Sequence, residues 1–529
     1  MKTLQLSGDR DNDILSAAEV LKKGGLCAIP TETVYGLAAD AYNGEAVKKI
    51  FEAKGRPQDN PLIVHIADLS TLFELWDFVP EQALRLAQEF WPGPLTMVMK
   101  KTAAVPYEVS CGLDTVGVRF PEHPVARRVI ELAGVPLAAP SANLSGKPSP
   151  TLASHVAEDM QGRIDAILDG GACSVGVEST VVDMTGEVPR VLRPGAVTEE
   201  MISEVLGDAC TDPAVEGGLK EGQQVRSPGM KYRHYAPESP VSLFCGAPDD
   251  TAREILTLPA SAVICFDEYK AEFEALGFDC VSIGSSWDHA AHARRIFDAL
   301  RVSDGGKKIY IQCPRRVGMG AASVNRLMRA SGFDSTLCSP YPVIGVTGRS
   351  GSGKSYLSRK LGEMLGLAVF DSDMEYKKML RENGELTKAI LKAFPEADAE
   401  GRVDRRALGN IVFRDGRKKA LLESITHPLV AKAAGEFARA RGGAVLDVPL
   451  LFESGIDRMC TATLGVYAGE ELIFDRICAR DCISAEAAKL RLDAQPELKF
   501  YFDRCYIMVK NDGDDLNALR KIAEKLIKI

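Results

Sequence analysis

The run Val343-Ile344-Gly345-Val346-Thr347-Gly348-Arg349-Ser350-Gly351-Ser352-Gly353-Lys354-Ser355 decides the fold of the last third of the chain. An apolar strand, Val343–Val346, leads into G-x-x-x-x-G-K-S/T with every fixed position filled, and a helical pattern from Ser355 to Leu365 follows. Strand, glycine loop and helix in that order build a cradle for phosphate. The glycines let backbone N–H groups converge on phosphate oxygens, and the helix N-terminus adds partial positive charge. Gly351, Ser352, Gly353, Lys354, Ser355 and Tyr356 are the nucleotide-holding candidates; Lys354 reaches the β- and γ-phosphates and the Ser355 hydroxyl suits Mg²⁺. A glycine-rich turn that only caps a helix is the plain alternative, and it leaves the Lys-Ser pair in register unexplained.

Working outward, Asp371-Ser372-Asp373 ends a second strand, Leu367–Phe370. Carboxylates there can hold Mg²⁺ or take a proton from an attacking hydroxyl, although two acids in a turn also occur as simply solvated groups. Next come Ile425-Thr426-His427-Pro428 and Leu446-Asp447-Val448-Pro449-Leu450-Leu451-Phe452-Glu453. From Arg476 to Gln495 a helical pattern carries Arg476, Arg480 and Arg491, read either as a lid that clamps triphosphate charge or as a surface helix. Leu516, Leu519, Ile522 and Leu526 close the unit at helical spacing.

These motifs, in this order and with Asn511-Asp512-Gly513 after them, make residues 341–529 resemble dephospho-CoA kinase. The resemblance implies ATP-dependent phosphorylation of the ribose 3′-hydroxyl of dephospho-CoA, with Mg²⁺ and no tightly bound organic cofactor. It makes Asp371 and Asp373 the acceptor-site carboxylates, one of them the base and Asp373 a candidate metal ligand. Arg480 becomes a lid contact to ATP, and Asn511 a neighbour of the adenine. Asp-Ser-Asp stands where Asp-Ala-Asp is usual, Arg349-Ser350 replaces the usual Gly-Ile, and Cys505-Tyr506 replaces a common Ala-Asp. Arg349 is expected to put a bulky cation beside the phosphates.

The whole chain has 529 residues, too many for one ordinary core and enough for three or four domains. It is 46% hydrophobic and 26% charged, which argues against wholesale disorder. With 64 basic against 73 acidic residues the net charge is -9, which disfavours a surface that coats nucleic acid throughout. No apolar stretch reaches membrane-helix length, and the start, with Asp9, Arg10, Asp11 and Asp13, has no apolar signal core; a cytoplasmic enzyme without membrane contact is expected. The 13 cysteines, without a Cys-x-x-Cys pair, read as reduced and mostly buried thiols. Cys478 with Cys482 on a shared helix face, and His289 with His292, lack the further ligands a metal site needs.

Residues 13–25 read as a helix stopped at Gly24-Gly25, and a buried strand, Leu26–Ile29, runs into Pro30-Thr31-Glu32-Thr33-Val34-Tyr35-Gly36-Leu37. Further strands are expected at Leu62–Ile66, Leu95–Met99, Thr115–Arg119, Val135–Ala138 and Ser179–Asp183. Polar groups collect near strand ends, where α/β folds bind ligands. Lys54-Gly55-Arg56-Pro57 offers two cations that can neutralise a triphosphate, or else a solvated helix terminus. Ala139-Pro140-Ser141-Ala142-Asn143 has a hydroxyl without a paired histidine, which argues against a serine-nucleophile hydrolase. Residues 208–229, polar and glycine-rich, read as a linker ending at Ser227-Pro228-Gly229. A smaller α/β pattern runs from Val241 to about Ser339-Pro340.

On the K-x-R pair (Lys54, Arg56) and the S-x-N pair (Ser141, Asn143), residues 1–240 resemble the YrdC-like threonylcarbamoyl-AMP synthases, and 241–340 resemble the accessory domain of their longer, Sua-type members. Ser227–Pro237 is similar to the segment that closes over that family's active site. The resemblance implies that L-threonine, bicarbonate or CO2, and ATP give threonylcarbamoyl-adenylate and pyrophosphate, for modification of adenosine 37 of tRNA by a downstream transfer complex, with weak RNA contact. It assigns threonine to Thr33, His65, Arg119 and Ser179, Arg119 taking the carboxylate. ATP falls to Lys54, Arg56, Asn60, Thr115, Ala139, Ser141, Ser149, Arg193 and Tyr235. Lys54, Arg56, Ser141 and Asn143 are the catalytic set, with Lys354, Asp371 and Asp373 in the kinase.

The expected architecture is multidomain α/β: a YrdC-like twisted-sheet domain (1–207), a linker and closing segment (208–240), a small Rossmann-like accessory domain (241–340), and a P-loop kinase with a parallel sheet and helical lid (341–529). The competing readings are a double-stranded RNA-binding module for the first part and a nucleoside or nucleotide kinase for the last.

Overall fold

The computed structural model describes all residues except 1, 218–234, 317, 383, 413–414, 514–518, 521, 524–525 and 527–529. Most of the expected linker, the larger part of Ser227–Pro237, and Leu516 fall outside the described residues. The chain forms two compact units: Met1–Phe244 with Leu258–Thr336, and Cys245–Thr257 with Leu337–Ile529.

One mixed sheet of 11 strands organises the first unit: β1 (Leu4–Ser7), β2 (Cys27–Ile29), β3 (Gly36–Asp40), β4 (Ile63–His65), β5 (Leu95–Lys100), β6 (Thr115–Arg119), β7 (Leu137–Ala138), β8 (Ala166–Asp169), β9 (Thr180–Asp183), β10 (Arg190–Arg193) and β11 (Cys210–Thr211). The order is β1-β8-β2-β3-β7-β4-β6-β5-β9-β10-β11. Side chains alternate across it: Ala28, Leu37, Ala39 and Ile167 enter one core, and Cys27, Ile29, Ala38 and Leu168 the other. Burial on both faces explains strands that read as unbroken apolar runs. The helix expected over 13–25 spans Asp11–Lys22 and packs Ile14, Ala17, Ala18 and Leu21 against the second core.

A second sheet, in this unit apart from its terminal residues Cys245 and Leu337, contains β12 (Val241–Cys245), β13 (Ala262–Cys265), β14 (Asp279–Ser282), β15 (Ile309–Gln312) and β16 (Ser335–Leu337), ordered β14-β13-β15-β12-β16. Its β14-β13-β15-β12 portion is parallel. The helices His289–Val302 and Met319–Ala330 accompany it. His289 and His292 lie on the first of them, ring centroids 5.5 Å apart; burial pushes the His292 imidazole down to about 4, so it is neutral near pH 7. No group of three or more metal-ligating side chains occurs among the described residues.

In the second unit, β17 (Val343–Thr347), β18 (Ala368–Asp371), β21 (Ala444–Asp447), β22 (Ala462–Tyr467) and β23 (Ile507–Lys510) form a parallel sheet ordered β18-β21-β17-β22-β23; β19 (Asp398–Ala399) and β20 (Arg402–Val403) make a separate antiparallel pair. The phosphate-loop strand is therefore central, with cores on both faces. The single lid helix expected from Arg476 is instead two helices, Glu470–Asp481 and Ala485–Asp493. Cys482 breaks the run with a left-handed φ of 50°, so it caps the first helix and shares no helix face with Cys478. No helix among the described residues is long and apolar enough to cross a membrane.

Candidate active sites

The first site begins where β2 ends. Thr31 and Thr33 follow that strand, His65 ends β4 and Arg119 ends β6; the last two are register partners across a parallel pair. β4 and β6 run parallel and end side by side, whereas β2, joined to β4 through three antiparallel pairings, runs the opposite way and brings Thr31 and Thr33 to the same pocket from the other direction. Opposite, the helix Gly44–Lys54 brings Lys54, with Arg56 just past its left-handed Gly55 cap. A pocket lined by Thr33, Lys54, Arg56, Asn60, His65, Arg119, Ala139, Ser141, Asn143, Ser179, Arg193 and Tyr235 gathers most of the expected residues. Thr115 and Ser149 do not line it. Thr115 starts β6, at the end opposite Arg119. Ser149 is fully buried behind the wall and donates to Glu178 Oε1 at 2.5 Å.

The cations in this pocket are fixed by main-chain oxygens. Lys54 Nζ donates to the Ser141 carbonyl and, at 2.6 Å, to the Asn143 carbonyl, so the K-x-R and S-x-N pairs form one assembly. Arg56 donates to the Asn60 carbonyl at 2.8 Å. Arg193 grips Ser179 twice, Nε to its carbonyl at 3.0 Å and Nη2 to its hydroxyl at 3.1 Å. Arg119 pairs with buried Glu32 at 2.5 Å and donates to the Thr33 hydroxyl at 2.8 Å. Burial, with Arg56 nearby, pushes the Lys54 ammonium well below the usual lysine range. Burial also brings Arg193 down to about 10. His65, desolvated and beside Arg119, falls to about 3 and is neutral at physiological pH. A desolvated cluster of this kind is stabilised by an incoming anion.

Glu32, Lys147 and Arg326 were not among the expected site residues. Lys147 lines the pocket, and Glu178 beside it is braced by Arg326 of the helix Met319–Ala330 at 2.8 Å. Burial alone would raise the Glu178 carboxyl, but Arg326 and Arg193 outweigh it and hold it below its usual range.

The second site is the loop after β17. Gly353 has φ 87°, and a Cβ there would stand 2.0 Å from Asn511 Nδ2, which donates to the Ser352 carbonyl at 2.8 Å. Only glycine fits both demands. Arg349 donates to the Leu492 carbonyl at 2.8 Å and lies 4.0 Å from Glu470, tying the loop to the two lid helices. Arg480 Nη2 donates to the Ser350 hydroxyl at 3.2 Å, and Gln495 accepts from the Ser350 N–H at 2.9 Å. Burial lowers the Lys354 ammonium against the pull of Asp447 and Asp373.

Asp447, which ends β21, was quoted in the sequence only as part of a motif, yet it is 4% exposed and hydrogen-bonded to Ser355. Its Oδ1 has no hydrogen-bond partner, and burial raises its carboxyl above the usual range. An apolar strand ending in Asp beside a phosphate-loop strand was the signal that marks such a residue. Asp371 accepts from the Met374 N–H at 2.9 Å and caps the helix Ser372–Arg381, whereas Asp373 lines a groove with Tyr376, Lys419, Thr426, His427 and Pro449.

A pocket of clustered side-chain cations in one unit and a glycine-rich phosphate loop opening a helix in the other are two candidate nucleotide sites of different construction, as a transferase with two active sites would have. A family model described as Telomere recombination matches residues 19–195, one for the threonylcarbamoyl-AMP synthase C-terminal domain matches 197–332, and one for dephospho-CoA kinase matches 342–516. The threonylcarbamoyl-AMP synthase of Pyrococcus abyssi is 47% identical over 323 residues, 60% of this chain and 93% of that protein. That of Bacillus subtilis is 45% identical over 330 residues, 61% and 94%. The crystal structure of P. abyssi Sua5 complexed with L-threonine, 43% identical, superposes with a TM-score of 0.60 over 64% of this chain and 99% of that one. The chain belongs to the threonylcarbamoyl-AMP synthase family and carries a dephospho-CoA kinase domain behind it. Neither the RNA-binding nor the nucleoside-kinase reading gains support.

Proposed function

We propose that the first unit condenses L-threonine, bicarbonate or CO2, and ATP into threonylcarbamoyl-adenylate, releasing pyrophosphate. The supporting observation is the fixed cation cluster: Lys54, Arg56 and Arg193 enter one pocket, each held by a main-chain carbonyl. Held this way, they meet triphosphate charge without reorganising, the term that usually dominates such transfers. The threonine amine adds to CO2, and the carbamate oxygen then attacks the α-phosphorus while pyrophosphate leaves, so no protein nucleophile is required. Lys54 and Arg56 neutralise the departing pyrophosphate. Ser141 and Asn143 position the nucleotide, assisted by Asn60, Ala139, Arg193 and Tyr235. Neutral His65, Thr33 and Ser179 hold threonine, and Arg119 takes its carboxylate by exchanging part of its pairing with Glu32. Thr115 and Ser149 act from outside the lining. The labile product passes to a complex that modifies tRNA, which places the chain in the cytoplasm.

In the second unit, the loop Gly351–Tyr356 holds ATP, Arg480 and Asn511 close on it, and the 3′-hydroxyl of dephospho-CoA accepts the γ-phosphoryl group. Asp373 faces the groove that would hold the acceptor and is the base; Asp371 is committed to capping its helix. The Ser355 hydroxyl and the unpartnered Asp447 oxygen are hard oxygen donors that fit Mg²⁺, with Asp373 in reach as a further carboxylate. Bound there, the ion supplies charge neutralisation at the β- and γ-phosphates.

The deciding experiment assays the intact chain for both products. Pyrophosphate release must require threonine and bicarbonate together, and ADP formation must require dephospho-CoA. Pyrophosphate released without threonine, or ADP formed equally with nucleosides, refutes the corresponding half.

A further inference from the structure

We infer that Arg326, a side chain of the accessory domain, is a positioning residue of the synthase pocket, setting Ser179 and Arg193 through Glu178 and the Pro194 carbonyl. This rests on reading that pocket as the synthase site. Arg326 is fully buried on the helix Met319–Ala330. Its Nε donates to Glu178 Oε2 at 2.8 Å, and Nη2 to the Glu178 main-chain carbonyl at 3.3 Å. Nη1 donates to the Pro194 carbonyl at 2.8 Å and to its neighbour Asn325 at 3.3 Å. One planar fork therefore spans two separate wall segments.

Each segment carries a pocket side chain immediately beside the gripped residue: Ser179 follows Glu178, and Arg193 precedes Pro194. Those two are bonded to each other through both the Ser179 carbonyl and hydroxyl. Both Glu178 oxygens are occupied, one by Arg326 and one by Ser149, so the carboxylate does not compete for Arg193. The same guanidinium lies 5.9 Å from the ring of Tyr235, a pocket residue that packs at 5.3 Å on Phe297 of the other accessory helix, His289–Val302.

A buried ion pair is not needed for stability alone, since an apolar pair of similar shape serves as well. What it provides here is a fork that an apolar or lysine side chain lacks. Without Arg326, Glu178 is a desolvated carboxylate next to Arg193. It then either captures that guanidinium, pulling it from Ser179, or takes up a proton.

The test uses the intact chain, with threonine- and bicarbonate-dependent pyrophosphate release measured against ATP concentration and pH. An inactive wild type refutes the underlying assignment of the pocket and is thereby distinguished from failure of the present inference. With an active wild type, Arg326→Met is expected to raise the KM for ATP about tenfold or more with kcat changed far less, a displacement of positioned groups. Its acid limb of kcat/KM moves to higher pH, because the unpaired Glu178 carboxyl binds its proton more tightly. In Arg326→Met/Glu178→Gln the limb returns while the KM stays raised, since the main-chain carbonyls of residues 178 and 194 still lack the guanidinium. That double variant leaves no buried carboxylate without its guanidinium and carries the test if the single variant fails to fold. Arg326→Lys retains charge without the fork and is expected to fall between the two in KM. A folded Arg326→Met or double variant with wild-type KM and an unmoved acid limb, changed only in melting temperature, overturns the inference.

Discussion

Lys54 donates its ammonium protons to the main-chain carbonyls of Ser141 and Asn143, not to the serine hydroxyl. Lys54→Met should therefore leave two buried carbonyls unpaired, each costing about 1–3 kcal/mol, and lower the melting temperature of the first unit along with its activity. Ser141→Ala keeps the carbonyl and should reduce threonine-dependent pyrophosphate release while leaving melting unchanged. Equal destabilisation by both substitutions, read by thermal unfolding, contradicts the arrangement.

Lys354→Ala should abolish dephospho-CoA phosphorylation and leave pyrophosphate release within about twofold, because the two sites draw on different compact units and share no residue. Arg56→Ala should do the reverse. Parallel assays of both products on each folded variant decide it.

Asp447→Asn removes the charge from the buried oxygen beside Ser355 while retaining its shape. The magnesium concentration giving half-maximal kinase activity should rise by about tenfold or more, since the affinity of such sites follows ligand charge. An unchanged magnesium titration would rule this carboxylate out of metal handling.

His65 is neutral in the folded protein down to about pH 3, against an ordinary 6.5. Between those values the unfolded chain binds more protons, so stability rises with pH across the window and is lost as pH falls from 6.5 toward 3. The sign is that of a buried neutral base. His65→Phe should flatten this part of the pH–stability curve by roughly 4 kcal/mol at its acid end. The difference between wild-type and variant denaturation curves at successive pH values measures it; a difference independent of pH contradicts the neutral state.

How much of this was legible beforehand depended on what each residue's partner was. The phosphate loop was readable because its chemistry lies in consecutive residues, and strands such as β6 and β12 because apolar, β-branched residues announce them. β3 was missed: Gly-Leu-Ala-Ala-Asp has weak strand propensity and is held extended by β2 and β7 on either side. Pro428, a residue that ordinarily stops a helix, lies inside Gly416–Arg441. Within the sites, Lys54, Arg56, Ser141 and Asn143 were found through a family pattern, but the carbonyl lock between them needed coordinates. Arg326 gave no local signal at all, because its partner is far away along the chain and nothing near it in sequence is unusual. The Arg349 contact was illegible for a related reason: the carbonyl of Leu492 that it meets in the lid is not encoded beside it.

Asn511, 159 residues further along the chain than the Ser352 it holds, sits against Gly353 and shapes the turn that receives phosphate. On a ribosome the loop emerges well before that plug does, so the nascent kinase has no finished cradle until β23, which leads into Asn511, has docked. Premature termination between Ser355 and Asn511 would thus yield a polypeptide with an intact motif and no working receptor for nucleotide.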